Sequence, residues 1–186
     1  KQNLIGKPIS AVNVSFKISP VLNAAGRMGE PETALELLLT DEPGKIEDLT
    51  DRLLSLNAAR QQNEEDTMKM VSSKAEDSYI DNDGKIVIID DPSVPRGLTG
   101  SIASRISNDK RIPVIVLATM DGKVSGSMRC HDPWSARDFL SSFSHLLEDY
   151  GGHRFAAGFR LDEEKKAEFI ARVEEYVREI PEESEE

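Results

Sequence analysis

Ser127 and Arg129, in the run Gly126-Ser127-Met128-Arg129, are the pair in this sequence best suited to holding an anion. Residues two apart on an extended chain point to the same side, so a hydroxyl and a planar guanidinium fork can meet one phosphate together. Gly126 frees the backbone beside them. An ordinary strand end, with its arginine reaching out to solvent, fits the same residues.

The segment GGHRFAAG, residues 151 to 158, crowds three glycines and two alanines around His153. Gly151 and Gly152 suit a sharp exit from a helix that leaves N–H groups exposed. His153 then offers a titratable donor and acceptor at that opening, and Phe155 offers a ring on which a base can stack. A helix stop followed by a small-residue packing strand is the plainer alternative. In LNAAGRM, residues 22 to 28, Asn23 and Arg27 flank two alanines and a glycine. Both polar side chains could lie across a surface that backbone approaches closely, and a loop pinned by an asparagine turn is again the alternative.

Other groups read as structural. Cys130, His131 and Asp132 are all ligand types, but consecutive strand residues alternate faces and the usual metal spacings are absent. Asp90 and Asp91 before Pro92 are turn residues, His145 belongs on a helix, and Phe139 and Phe143, four apart, belong to a core. GLTGS at 97 to 101 opens a helix but lacks the lysine spacing of a phosphate loop, so Gly97 and Gly100 are expected to serve close packing and Arg105 to be a surface charge.

The elements that must position these residues follow from pattern. Val12, Val14, Phe16 and Ile18 alternate as in a half-buried strand ended by Pro20, with a loop at NAAGR. Pro31 and ALELLL predict a short helix, and 45–79, free of proline and glycine, predicts a long one that could extend roughly 50 Å and connect two lobes. Beyond it the pattern predicts a strand at 85–90, a helix at 98–108, a strand at 113–119, an Asp121-Gly122 hairpin into 123–129, a helix at 135–150 and a strand at 155–161. A final helix over 162–180 should face Phe169, Ile170, Val173, Val177 and Ile180 inward, before an acidic tail. The fold class is α/β with a mixed sheet.

The net charge of −11 is unevenly spread. Residues 162 to 186 carry eleven acidic and four basic side chains, a net of −7, whereas 81 to 161 carry ten of each. That excludes a broad basic track while leaving room for a specific pocket, so binding by this chain alone should be weak. No apolar run nears the roughly 20 residues of a membrane span, and no secretion signal is seen, which predicts a cytoplasmic chain with no membrane partner. A start at Lys1 in what reads as the middle of a fold leads us to expect a fragment.

Together LNAAGRM, GLTGSIASRI at 97 to 106, GSMR and GGHRFAAG resemble, in order and rough spacing, the C-terminal half of the RecJ family of single-strand-specific exonucleases, within the DHH phosphoesterase superfamily. The resemblance implies a remnant of the phosphoesterase domain at 1–44, a connecting helix at 45–80, a DHH-associated substrate-binding domain at 81–180 and a tail at 181–186. It implies binding of single-stranded DNA, or RNA, by Asn23, Arg27, Ser127, Arg129, Gly151, Gly152, His153 and Phe155. Ser127 and Arg129 would hold the 5′ phosphate, Arg27 would touch the backbone, and His153 would stand near the scissile phosphate. Mn2+ or Mg2+ would be bound by an N-terminal domain outside this chain, which alone would be inactive. Val21, VPRG at 94 to 97 and Cys130 depart from familiar bacterial members, leaving strand polarity open. An oligonucleotide or cyclic-dinucleotide phosphodiesterase of the same superfamily, or a non-catalytic replication scaffold, are the alternatives, and replication or repair proteins are the expected protein partners.

Overall fold

The computed structural model describes residues 6–180. The expected acidic tail at 181–186 lies outside the described residues. Contacts divide the chain into Lys1–Glu65 and Asp66–Glu186.

In the first unit, helix α1 (Ala11–Asn13) runs through a π-helical turn (Val14–Ile18) into α2 (Ser19–Arg27). This corrects the strand expected from Val12, Val14, Phe16 and Ile18. An isolated strand leaves its backbone groups without partners, whereas a helix satisfies most of its own. Ser10 caps the turn, its Oγ accepting from the Asn13 N–H at 3.2 Å, and Pro20 sits in the first turn of α2, where a missing N–H costs nothing. The expected NAAGR loop is likewise helical, ending at the Met28 cap. Helix α3 (Pro31–Leu39) begins at its proline as expected. Ala24 and Ala25 are fully buried against Leu53 and Leu56 of the long helix α4 (Pro43–Asp81). An alanine pair lets two helix backbones approach closely, and Leu53 at 1% exposure fills the contact.

Helix α4 spans the division between units, and its later residues Val71 and Ala75 belong to a different core. The second unit is built on a five-stranded mixed sheet in the order β1-β2-β3-β5-β4. Strand β1 (Val87–Asp90) pairs in parallel with β2 (Val114–Met120), and helix α5 (Thr99–Lys110) makes the crossover. Asp121 and Gly122 take φ of 52° and 74°, the positive values of a tight hairpin, into β3 (Lys123–Arg129). Antiparallel β5 (Ala156–Asp162) follows on β3, and β4 (Asp149–Gly152) closes the edge.

A single helix over 135–150 is not formed. Helix α6 (Ala136–Ser141) gives way to turns in which Phe143 donates to Leu140 O at 3.1 Å and Leu146 to Phe143 O at 2.9 Å. The chain then becomes the partner that β5 needs, and Glu148 N donates to Arg160 O at 2.8 Å. Gly151 and Gly152 are therefore strand residues, not a helix exit.

One sheet face carries Ile88, Ile115, Leu117, Met128, Ala157, Phe159 and Leu161 against Phe139, Leu140, Phe143 and, from α7 (Lys166–Arg178), Phe169, Val173 and Val177. Each such large side chain contributes about 1.5–3 kcal/mol on burial. Ile170 and Ile180 pack partly buried against this core, as the amphipathic pattern predicts. The other face carries Val87, Ile89, Val114 and Val116 under α5 and the end of α4.

Candidate nucleic-acid interface

Alternation along β3 buries Val124, Gly126 and Met128 and leaves Ser125, Ser127 and Arg129 half-buried on the side of α5. Ser127 Oγ lies 2.9 Å from Thr99 Oγ1, and either hydroxyl can donate. Arg129 is laid across the first turns of α5. Its Nε donates to Ser104 Oγ at 3.1 Å and its Nη1 to the Met128 carbonyl at 2.8 Å. A Cβ added at Gly100 would lie 2.7 Å from Arg129 Nη2, so this glycine clears the space that the guanidinium uses. Ser127 and Arg129 thus share a face, each already oriented by α5.

Register extends that face sideways. Ser127 stands opposite Gly158 of β5, and Gly158 opposite Gly151 of β4, a row across three strands. Helix α5 packs on β2 and β3, whereas Asp149, Gly151, Gly158 and Arg160 are exposed. The result is an open cavity of about 310 Å³ lined by Arg96, Thr99, Ser125, Ser127, Asp149, Gly158 and Arg160 among others. A Cβ at Gly151 would meet nothing within 4 Å, so its lack of side chain keeps this floor flat and unobstructed.

His153 lies elsewhere. Its N–H donates to Ala156 O at 2.8 Å, and its side chain lines a separate polar cavity of about 510 Å³ with Pro133, Ser135, Arg137, Asp138, Gly152 and Arg154. Arg154 pairs with Asp132 at 2.5 Å and stands 5.4 Å from the centre of the Phe155 ring. Phe155 is 44% exposed, available for stacking, while Phe139 and Phe143 are core residues as expected. Trp134 packs edge-on against Phe139 at 5.8 Å. His145 is exposed, in the turns after α6.

Asn23 and Arg27 sit one helical turn apart on the exposed side of α2, opposite the buried alanines of the same motif, and belong to the first unit. Cys130 is buried and its thiol is pushed up from the ordinary value by desolvation. Asp91 accepts from Ser93 N at 2.8 Å in the expected turn, and the Lys74 ammonium 2.5 Å away holds its carboxyl down to about 2. Among the described residues no three His, Cys, Asp or Glu side chains are grouped to hold a metal ion. Nor is any helix among them long and apolar enough to cross a membrane.

Thr99, Ser125, Gly158 and Arg160 were not singled out from sequence. The signal was present in the period-two alternation of β3 and β5, where Ser125, Gly158 and Arg160 fall between buried neighbours.

This mixed-sheet arrangement coincides with a known family, since residues 83–179 match the DHHA1 domain. The chain belongs to the DHHA1 domain family. It is 41% identical over 177 residues to the single-stranded-DNA-specific exonuclease RecJ of Thermus thermophilus, covering 95% of this chain and 25% of that protein. It is 32% identical over 185 residues to RecJ of Escherichia coli, covering 95% and 32% respectively. The crystal structure of RecJ in complex with Mn2+ from Thermus thermophilus superposes with a TM-score of 0.80 at 40% identity, over 96% of this chain and 26% of that one. A second structure, exonuclease RecJ bound to manganese, gives 0.74 at 41% identity, over 92% and 42%. The RecJ resemblance read from the four motifs therefore holds across nearly the whole chain. The chain spans 21 to 32% of the length of the curated RecJ relatives it matches.

Proposed function

We propose that this DHHA1 chain is the nucleic-acid-binding and substrate-positioning part of a RecJ-like exonuclease that hydrolyses single-stranded DNA with a divalent metal. The observation that carries the reading is the open row Ser127–Gly158–Gly151, bordered by the oriented Arg129, on a chain 41% identical to a single-stranded-DNA-specific exonuclease. A flat backbone floor admits a sugar-phosphate chain closely, and a fixed guanidinium beside a hydroxyl favours a terminal phosphate. Positioning of this kind removes much of the entropic cost of a bond-breaking step without supplying its catalyst. The chain spans 21 to 32% of the length of its RecJ relatives, and in this reading the ion is held outside the part matched here, so that this chain alone binds without cutting. Gly151 and Ser127 belong to the floor, His153 and Phe155 would meet the strand at the second cavity, and Asn23 and Arg27 are read as nucleic-acid contacts of the first unit by themselves.

The test is a titration of the chain with single-stranded oligonucleotides bearing either a 5′ phosphate or a 5′ hydroxyl. The phosphorylated strand should bind more tightly, and Arg129→Gln should abolish the difference. Equal affinities in the unsubstituted chain would overturn the phosphate role.

A further inference from the structure

Arg96 opens the 3-10 turn Arg96–Leu98 that leads into α5, between two anchors, Val94 at 4% and Leu98 at 2% exposure. Leu98 N donates to Pro95 O at 2.8 Å, so the residue is carried on a fixed turn and not on a loose loop. It lines the open cavity with Thr99, Ser125, Ser127 and Arg160. Two arginines therefore line that cavity with one acidic residue, Asp149. That carboxylate is engaged, since Arg160 Nη2 lies 3.2 Å from Asp149 Oδ2. Arg96 is exposed and, among the described residues, has no ion-pair partner. One positive charge is left over, beside Ser125, while Thr99 Oγ1 donates to Arg96 O at 3.2 Å and lies 2.9 Å from Ser127 Oγ.

Such a set matches a phosphodiester: a planar fork of donors for the charged oxygens and the Ser125 hydroxyl for the remainder. Resting on the reading of this face as a single-strand surface, we propose that Arg96 grips a backbone phosphate of the bound strand. That phosphate is distinct from the terminal group at Ser127 and Arg129. Arg96 is then a positioning residue that sets the path of the strand over the β5 floor. Its contact is to the backbone, so it should act alike on 5′-phosphorylated and 5′-hydroxyl strands. That separates it from Arg129.

The experiment is fluorescence anisotropy of a 3′-labelled decathymidylate, with and without a 5′ phosphate, titrated with the chain over a range of salt. Arg96→Gln should weaken both strands about fivefold at low salt. It should also reduce the slope of log affinity against log salt by about 0.7, the loss of one phosphate contact on a single strand. Arg96→Lys should restore the slope, and Arg105→Gln on the exposed side of α5 should leave it unchanged. If Arg96→Gln changes neither affinity nor slope while Arg129→Gln still removes the 5′-phosphate preference, this proposal fails and the reading of the face stands. An equal loss in Arg105→Gln would show bulk charge instead of a site and overturn it too. Absence of binding by the unsubstituted chain would overturn both.

Discussion

On the covered face of the β3-β5-β4 ribbon, Gly126 lies beneath the Phe159 ring, and an added Cβ would stand 2.1 Å from Phe159 Cζ. Gly152, with φ of 144°, would place a Cβ 2.3 Å from Ala156 O. On the open face a Cβ at Gly151 meets nothing within 4 Å, and one at Gly158 comes only to 3.7 Å from Gly126 O. Four glycines in two short motifs thus divide by what a side chain would meet, Gly152 being itself exposed. Gly126 and Gly152 exist because other atoms occupy the space of a side chain. Those on the open side have no neighbour that requires them, which is what a surface kept clear for a ligand looks like.

The largest expected effect breaks the covered side. Gly152→Ala meets both an unfavourable backbone conformation and a fixed carbonyl oxygen, and should cost about 3 kcal/mol or more. Gly126→Ala, which a shifted Phe159 ring can partly accommodate, should cost about 1–3 kcal/mol. Chemical denaturation of both variants checks the order. If Gly126→Ala proves the more damaging, the ring and not the backbone is the rigid element.

A smaller effect concerns what holds α4 to the sheet beneath these faces. Asp91 at the end of β1 has its carboxyl held at about 2 by Lys74 of α4, below the value of about 3.9 in an unfolded chain. A depressed carboxyl stabilises the fold above the unfolded value, and that stabilisation is lost as pH falls from about 4 through about 2. Between those limits the stability gap between the chain and Asp91→Asn should close. A gap constant with pH would show that Lys74 does not act on Asp91 in solution.

Much of the fold was legible because periodicity and turn chemistry agree along α4, α5, β2, the Asp121-Gly122 hairpin and α7. Two stretches were not. Val12, Val14, Phe16 and Ile18 alternate like a strand but adopt a helix, since side-chain pattern does not record whether a partner strand exists. Residues 142–150 continue the helix-like spacing of Phe139 with Phe143 and Leu146, yet the unpaired edge of β5 draws the chain out into β4. The site was legible in part for a related reason. Ser127 and Arg129 could be placed on one face from alternation alone. That Gly151 pairs with Gly158 beside Ser127 while His153 lines a separate cavity could not, because it depends on where β4 pairs.

The most direct test of the open face is Gly151→Val, a β-branched side chain placed where backbone conformation and space both allow it. Its thermal midpoint should match that of the unsubstituted chain, while its affinity for a 5′-phosphorylated single strand should fall by at least about tenfold, 1.4 kcal/mol at 25 °C. An unchanged midpoint with unchanged affinity would contradict the account, because the strand would then not lie on this floor.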